Sequence, residues 1–141
     1  MKAIYLDNNA TTRVDPMVVE AMMPFFTEHY GNPSSIHGFG EPVRRALQRA
    51  REQVASLLGA AHDSEIIFTS CATEANSTAL LSAVEALPDR KEIITTVVEH
   101  PAILEVCEHL ERKGYTIHRL PVNGKGQLDL EQYQSLLSDK V

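Results

Sequence analysis

The chain has 141 residues, 43% hydrophobic and 23% charged, with 7 glycines and 7 prolines, the make-up of an ordinary globular protein long enough to bury about 70% of its unfolded surface. Its 13 basic residues are scattered among 19 acidic ones for a net charge of −6, which argues against nucleic acid as a partner. The opening Met1-Lys2-Ala3-Ile4-Tyr5-Leu6-Asp7 has no apolar core of signal-peptide length, and no stretch nears the roughly 20 apolar residues of a membrane span, so a cytoplasmic protein with no membrane partner is expected.

The first element is a helix. Asp15-Pro16 supplies a cap followed by proline in the first turn, and Val18, Met22, Phe25 and Phe26 recur at helical spacing. Gly31 is expected to end it, and Asn32-Pro33-Ser34-Ser35 reads as a loop. A second helix carries Val43, Leu47, Ala50, Val54, Leu57 and Leu58 on one face and stops at Gly59.

The pattern then alternates. A strand is predicted at Glu65–Thr69, a helix from about Thr73 to Leu87 and a strand at Ile93–Val98. A helix from about Ala102 to Lys113, a strand at Tyr115–Leu120 and a helix after Asp129 complete the chain, with Asp129 and Gln132 spaced as a cap and its reciprocal partner. Strand and helix in alternation imply an α/β fold, a mostly parallel sheet with right-handed crossovers flanked by helices. Three strands are few for such a sheet, so it is expected to be incomplete here; a small three-stranded domain is the alternative.

Neither cysteine, Cys71 or Cys107, belongs to a CxxC pair, and the six histidines show no HExxH spacing. His109-Leu110-Glu111 resembles half of a deaminase signature, but no Pro-Cys-x-x-Cys follows. No metal site is expected. Cys107 shares a helical face with Ile103 and Leu110, which assigns it to the core.

Ligands of open parallel sheets collect outside the carboxyl ends of the strands. Two segments qualify. Ser70-Cys71-Ala72-Thr73-Glu74 leads into a helix with small and hydroxyl side chains, so its backbone N–H groups and the Thr73 hydroxyl could receive a phosphate at the positive end of the helix dipole. The plainer reading is that Ser70 or Thr73 caps the helix. The second is Val98-Glu99-His100-Pro101, where an imidazole could stack on an aromatic cofactor or move protons, or could be a partly exposed loop histidine.

Four strings carry a resemblance that this spacing leaves open: Tyr5-Leu6-Asp7-Asn8-Asn9-Ala10-Thr11-Thr12, Gly31-Asn32-Pro33-Ser34-Ser35, Phe68-Thr69-Ser70-Cys71-Ala72-Thr73-Glu74 and Glu99-His100-Pro101-Ala102. In this order and at these intervals the chain resembles the amino-terminal portion of the cysteine desulfurase family, with Asn8-Asn9, Cys71 and Pro101 closer to its nitrogen-fixation branch. The resemblance implies part of the large domain of a fold-type-I transferase dependent on pyridoxal 5'-phosphate. Such an enzyme removes sulfur from L-cysteine, leaves L-alanine, and passes the sulfur as a persulfide to an iron–sulfur scaffold protein, here for nitrogenase maturation. It implies a homodimer at full length.

Carried over by position, the resemblance makes Ala72, Thr73 and His100 cofactor-binding residues. Ala72 and Thr73 hold the phosphate, and His100 lies over the pyridine ring and serves as the catalytic proton carrier. Residues 1–60 become an amino-terminal segment with two helices and an active-site loop, and residues 61–141 the first strand–helix units of the cofactor-binding domain. The loop at Gly31–Ser35 is near the active site in such dimers, and Asp7-Asn8-Asn9 is near the substrate, though a helix end and a turn explain both. Cys71 belongs to the phosphate cradle and is not the persulfide cysteine.

The family's cofactor lysine follows a histidine, a pair that occurs nowhere in these 141 residues. The 141-residue chain alone is therefore expected to be inactive and marginally stable, with exposed strand edges. Two further readings remain: a related lyase or aminotransferase on the same fold, such as a selenocysteine lyase, and a short non-catalytic form that acts by binding.

Overall fold

A computed structural model describes residues 3–141, so Met1 and Lys2 of the opening segment lie outside it. The chain forms two compact units, one ending at Ile67 and the other Phe68–Val141.

In the first unit the Asp15 carboxylate accepts the Met17 N–H at 2.8 Å and Pro16 opens α1, Pro16–Met22. The single helix expected through Phe26 is in fact broken. Pro24 has no N–H to give, so the hydrogen-bond ladder is interrupted although Met23 keeps helical angles (φ −53°, ψ −42°), and a four-residue α2, Pro24–Thr27, begins. Gly31 therefore terminates nothing. Its role is steric: a Cβ at Gly31 would overlap the Phe39 carbonyl oxygen, and one at Gly40 would fall 2.5 Å from the Asn32 oxygen. The two glycines let the ends of the Asn32–Phe39 loop close on each other.

Helix α3, Gly40–Leu58, ends at Gly59 in the left-handed conformation (φ 72°), as expected. Its apolar stripe is covered only in part. Ala55 is buried and Val43, Ala50 and Val54 are half-buried, but Leu57 and Leu58 are 83% and 70% exposed. Asp63–Glu65 forms one 3₁₀ turn, with the Glu65 carboxylate accepting the His62 N–H at 2.7 Å.

The strand predicted at Glu65–Thr69 does not form. Ile66 is extended and buried, but a strand exists only through its hydrogen-bonded neighbour, and none of the described strands pairs with this segment. The Ile66 carbonyl accepts from the Arg51 guanidinium instead.

The second unit is a parallel β–α–β motif with a helix on each side in sequence. Its elements are α4 (Ala72–Ala86), β1 (Glu92–Thr96), α5 (Pro101–Arg112), β2 (Thr116–Leu120) and α6 (Leu130–Leu136). Strands β1 and β2 pair in parallel with Ile94 opposite His118 and Thr96 opposite Leu120. Parallel neighbours need a long crossover, which α5 provides.

Helix α5 packs on β2 and against α4. Ala102, Cys107 and Leu110 face inward from α5 and meet a core that includes Leu120. Cys107 is fully buried, as its helical spacing predicted, and burial raises its thiol pKa. Asp129 caps α6, accepting the Glu131 and Gln132 N–H groups at 3.0 and 3.1 Å. Two side-chain contacts tie elements together: Arg119 of β2 forms an ion pair with Glu111 of α5 through both terminal guanidinium nitrogens, and the His118 ring is hydrogen-bonded to Glu92 across the strands at 2.8 Å. Among the described residues no helix is long and apolar enough to cross a membrane.

Candidate functional site

The predicted phosphate segment opens α4, a 15-residue helix whose amino-terminal cap position is Cys71, in extended conformation (φ −164°, ψ 170°). Neither Ser70 nor Thr73 caps it by side chain. Glu74 folds back instead, its carboxylate accepting the Ser70 N–H and the Ser70 hydroxyl, both at 2.6 Å. These bonds hold the Glu74 carboxyl below its ordinary range, the hydroxyl contributing most.

The first intrahelical bond of α4 runs from the Ala75 N–H to the Cys71 carbonyl at 3.1 Å. The N–H groups of Ala72, Thr73 and Glu74 thus have no acceptor within the helix, and aligned peptide dipoles add positive potential in front of them. Ala72 presents only a methyl group at the first helical position, which leaves the backbone open to approach. Cys71 is exposed. Its thiol is pulled below the usual range chiefly by the Glu74 amide, then by the Ser70 hydroxyl.

The two cysteines therefore differ sharply in reactivity, since the thiolate is the reacting form. A short pulse of iodoacetamide near pH 7 should modify Cys71 and leave Cys107 untouched, as read by peptide mass mapping. Equal labelling would contradict the placement of both residues.

His100 follows the carboxyl end of β1 through Val97-Val98-Glu99 and is the amino-terminal cap of α5. It is exposed. Its Nδ1 accepts the Ala102 N–H at 3.1 Å, a capping role the sequence reading missed because histidine is not among the preferred cap residues. An accepting ring nitrogen carries no proton, so this bond assigns the neutral ring's proton to Nε2.

Ala72, Thr73 and His100 thus occupy the first turns or caps of two helices that pack together in one unit. The strand expected before α4 is absent among the described residues, so only the second segment follows a strand, and the α4–α5 packing relates the two. A mainly apolar cavity of about 290 Å³, lined by residues including Leu80, Ile94, Glu99, Ile103 and Cys107, includes none of the three, though Glu99 is the neighbour of His100. Asp7 begins a turn closed by the Ala10 N–H at 3.2 Å, and Asn32 Oδ1 accepts the Ser34 N–H at 2.8 Å in the glycine-closed loop. Both lie in the first unit.

The family model described as aminotransferase class-V matches residues 4–141. The chain belongs to the aminotransferase class-V family. Members of this family, the cysteine desulfurases among them, use pyridoxal 5'-phosphate. Over all 141 residues the chain is 67% identical to a cysteine desulfurase of Enterobacter agglomerans and 64% identical to the cysteine desulfurase NifS of Azotobacter vinelandii, covering 35% of each. It thus spans about a third of the length of these class-V relatives, matching their amino-terminal portion.

Among solved structures, a NifS-like protein superposes with a TM-score of 0.87 at 45% identity, over 94% of this chain and 36% of that one. SspA in complex with cysteine superposes at 0.81 with 32% identity, over 93% and 38%. The helices and short parallel sheet are accordingly part of the fold-type-I architecture expected from the sequence.

Proposed function

We propose that the protein to which this chain belongs is a cysteine desulfurase, converting L-cysteine to L-alanine and an enzyme persulfide, and that the segment holds the phosphate end of pyridoxal 5'-phosphate. The supporting observation is identity of 67% and 64%, over the entire chain, to two proteins named cysteine desulfurase. The site's local chemistry agrees with it. The first-turn amides of Ala72 and Thr73, without intrahelical acceptors, with a hydroxyl at Thr73 and only a methyl at Ala72, are the donor set a phosphate ester needs. The acidic neighbour Glu74 is engaged by the Ser70 N–H and hydroxyl.

In this reading Ala72 and Thr73 bind the phosphate through their N–H groups, and the Thr73 hydroxyl adds a third donor. His100 stacks on the pyridine ring and moves protons between substrate and leaving groups. When bound, the cofactor supplies an electron sink for the bonds at the substrate carbon. In the capped ring Nδ1 is the acceptor and Nε2 holds the one proton. To give that proton the ring must first take one up at Nδ1, releasing the Ala102 N–H, and it returns to a neutral imidazole once Nε2 has donated. Residues 61–141 form the first strand–helix units of the cofactor-binding domain, residues 1–60 its amino-terminal segment, and the full-length protein is a homodimer. The sulfur goes to an iron–sulfur scaffold protein in nitrogenase maturation, in keeping with the likeness to NifS, and the protein works in the cytoplasm.

The test is stoichiometric. Full-length protein with pyridoxal 5'-phosphate, L-cysteine and a thiol reductant should release alanine and sulfide in equal amounts. Thr73→Ala should raise the cofactor concentration needed for half-maximal rate roughly tenfold, the effect of losing one hydrogen bond to a charged group. Turnover no faster than with free cofactor would overturn the proposal.

A further inference from the structure

Arg44, Arg45, Arg49 and Arg51 are four of the chain's eight arginines, the others being Arg13, Arg90, Arg112 and Arg119. All four lie on α3, in a chain whose net charge is −6. They do not do the same thing. Arg51 is half-buried and its guanidinium is used inside the unit, on the Ile66 carbonyl. Arg44, Arg45 and Arg49 are exposed.

At 100° per residue, Arg44, Gln48, Glu52, Arg45 and Arg49 occupy an arc of about 140°. These five residues line a shallow depression of about 420 Å³ on the helix surface. Arg45 reaches Glu41 at 3.3 Å, a loose contact between exposed side chains of little strength. Arg44 and Arg49 have no ion-pair partner among the described residues. Gln48 is held by Glu52 at 2.9 Å and by Asp63, which fixes the floor between the guanidiniums.

We infer that this arginine stripe on α3 is a docking surface for a short acidic segment of a partner polypeptide. Guanidinium groups are planar, permanently charged and matched to bidentate contact with carboxylates. The stripe from Arg44 to Arg49 is only about 8 Å long, five steps of 1.5 Å, which suits two or three carboxylates. A nucleic acid presents a continuous line of phosphates and requires a longer basic track; here Glu41 and Glu52 close the stripe at both ends. The inference uses none of the residues of the proposed cofactor site and does not rest on the proposed activity.

The test uses the full-length protein and a fluorescein-labelled hexaglutamate peptide, followed by fluorescence anisotropy at low salt. Saturable binding is expected, weakening at least fivefold in the R44Q/R49Q double variant and largely kept in R44K/R49K, with a steep decline as salt is raised. Melting curves check that the variants fold; if the double variant does not, R44Q and R49Q are measured singly. Absence of saturable binding, or equal binding by wild type and the glutamine variants, overturns the inference. So does a labelled single-stranded decanucleotide that binds more tightly than the peptide and is lost in the same variants.

Discussion

Replacing His100 by asparagine is expected to slow alanine formation by the full-length protein roughly a hundredfold to ten-thousandfold, the range for losing a general acid or base, while leaving its melting temperature nearly unchanged. The expectation follows from the two jobs His100 performs. Its Nδ1 caps α5 by accepting the Ala102 N–H, and asparagine is a preferred cap that can take over this bond. It cannot supply the proton held on Nε2 or the aromatic face. His100→Ala should lose both functions, adding a destabilisation of about 1 kcal/mol from the missing cap. Cofactor titration and thermal melting alongside the rate separate the roles. An asparagine variant with near-normal turnover would reduce His100 to a cap and remove it from the mechanism.

Leu110→Ala should destabilise the Phe68–Val141 unit by about 2–5 kcal/mol, the usual cost of truncating a buried leucine and leaving a cavity. Leu110 is 2% exposed on the inner face of α5, next to the fully buried Cys107 and in a core shared with Leu120. The described core is small, so one lost side chain is a large fraction of it. Leu110 also anchors the end of the helix, its carbonyl accepting the Tyr115 N–H at 3.1 Å just before β2. Hydrogen exchange of the β1 and β2 amides under denaturant reads the effect directly. The matching change at Leu137, 50% exposed beyond α6, should cost far less. Similar exchange in the two variants would place the core elsewhere.

Both effects depend on α5, whose position was legible in the sequence from periodicity and from Pro101. The capping histidine was not. Histidine at that position reads as a ligand or loop residue, and only its hydrogen bond to Ala102 reveals the tautomer on which the proposed proton transfer depends. The same holds at α4. Small residues before the helix pointed to an anion cradle, but the Glu74 carboxylate folding onto Ser70 is a choice among side-chain partners that spacing alone leaves open.

The sequence by itself determined the elements governed by local rules. These are the Asp15 and Asp129 caps, the stop at Gly59 and the inward face of α5, because each depends on bonds or packing within a few residues. Its four motif strings also determined the family to which the chain belongs. Only the tertiary structure decided the rest. Pro24 divides the first helix, Gly31 serves a close backbone approach to Phe39, and the segment after Glu65 stays unpaired. A strand is a property of two segments, and a tight approach is a property of two backbones, so neither can be read from one stretch of sequence.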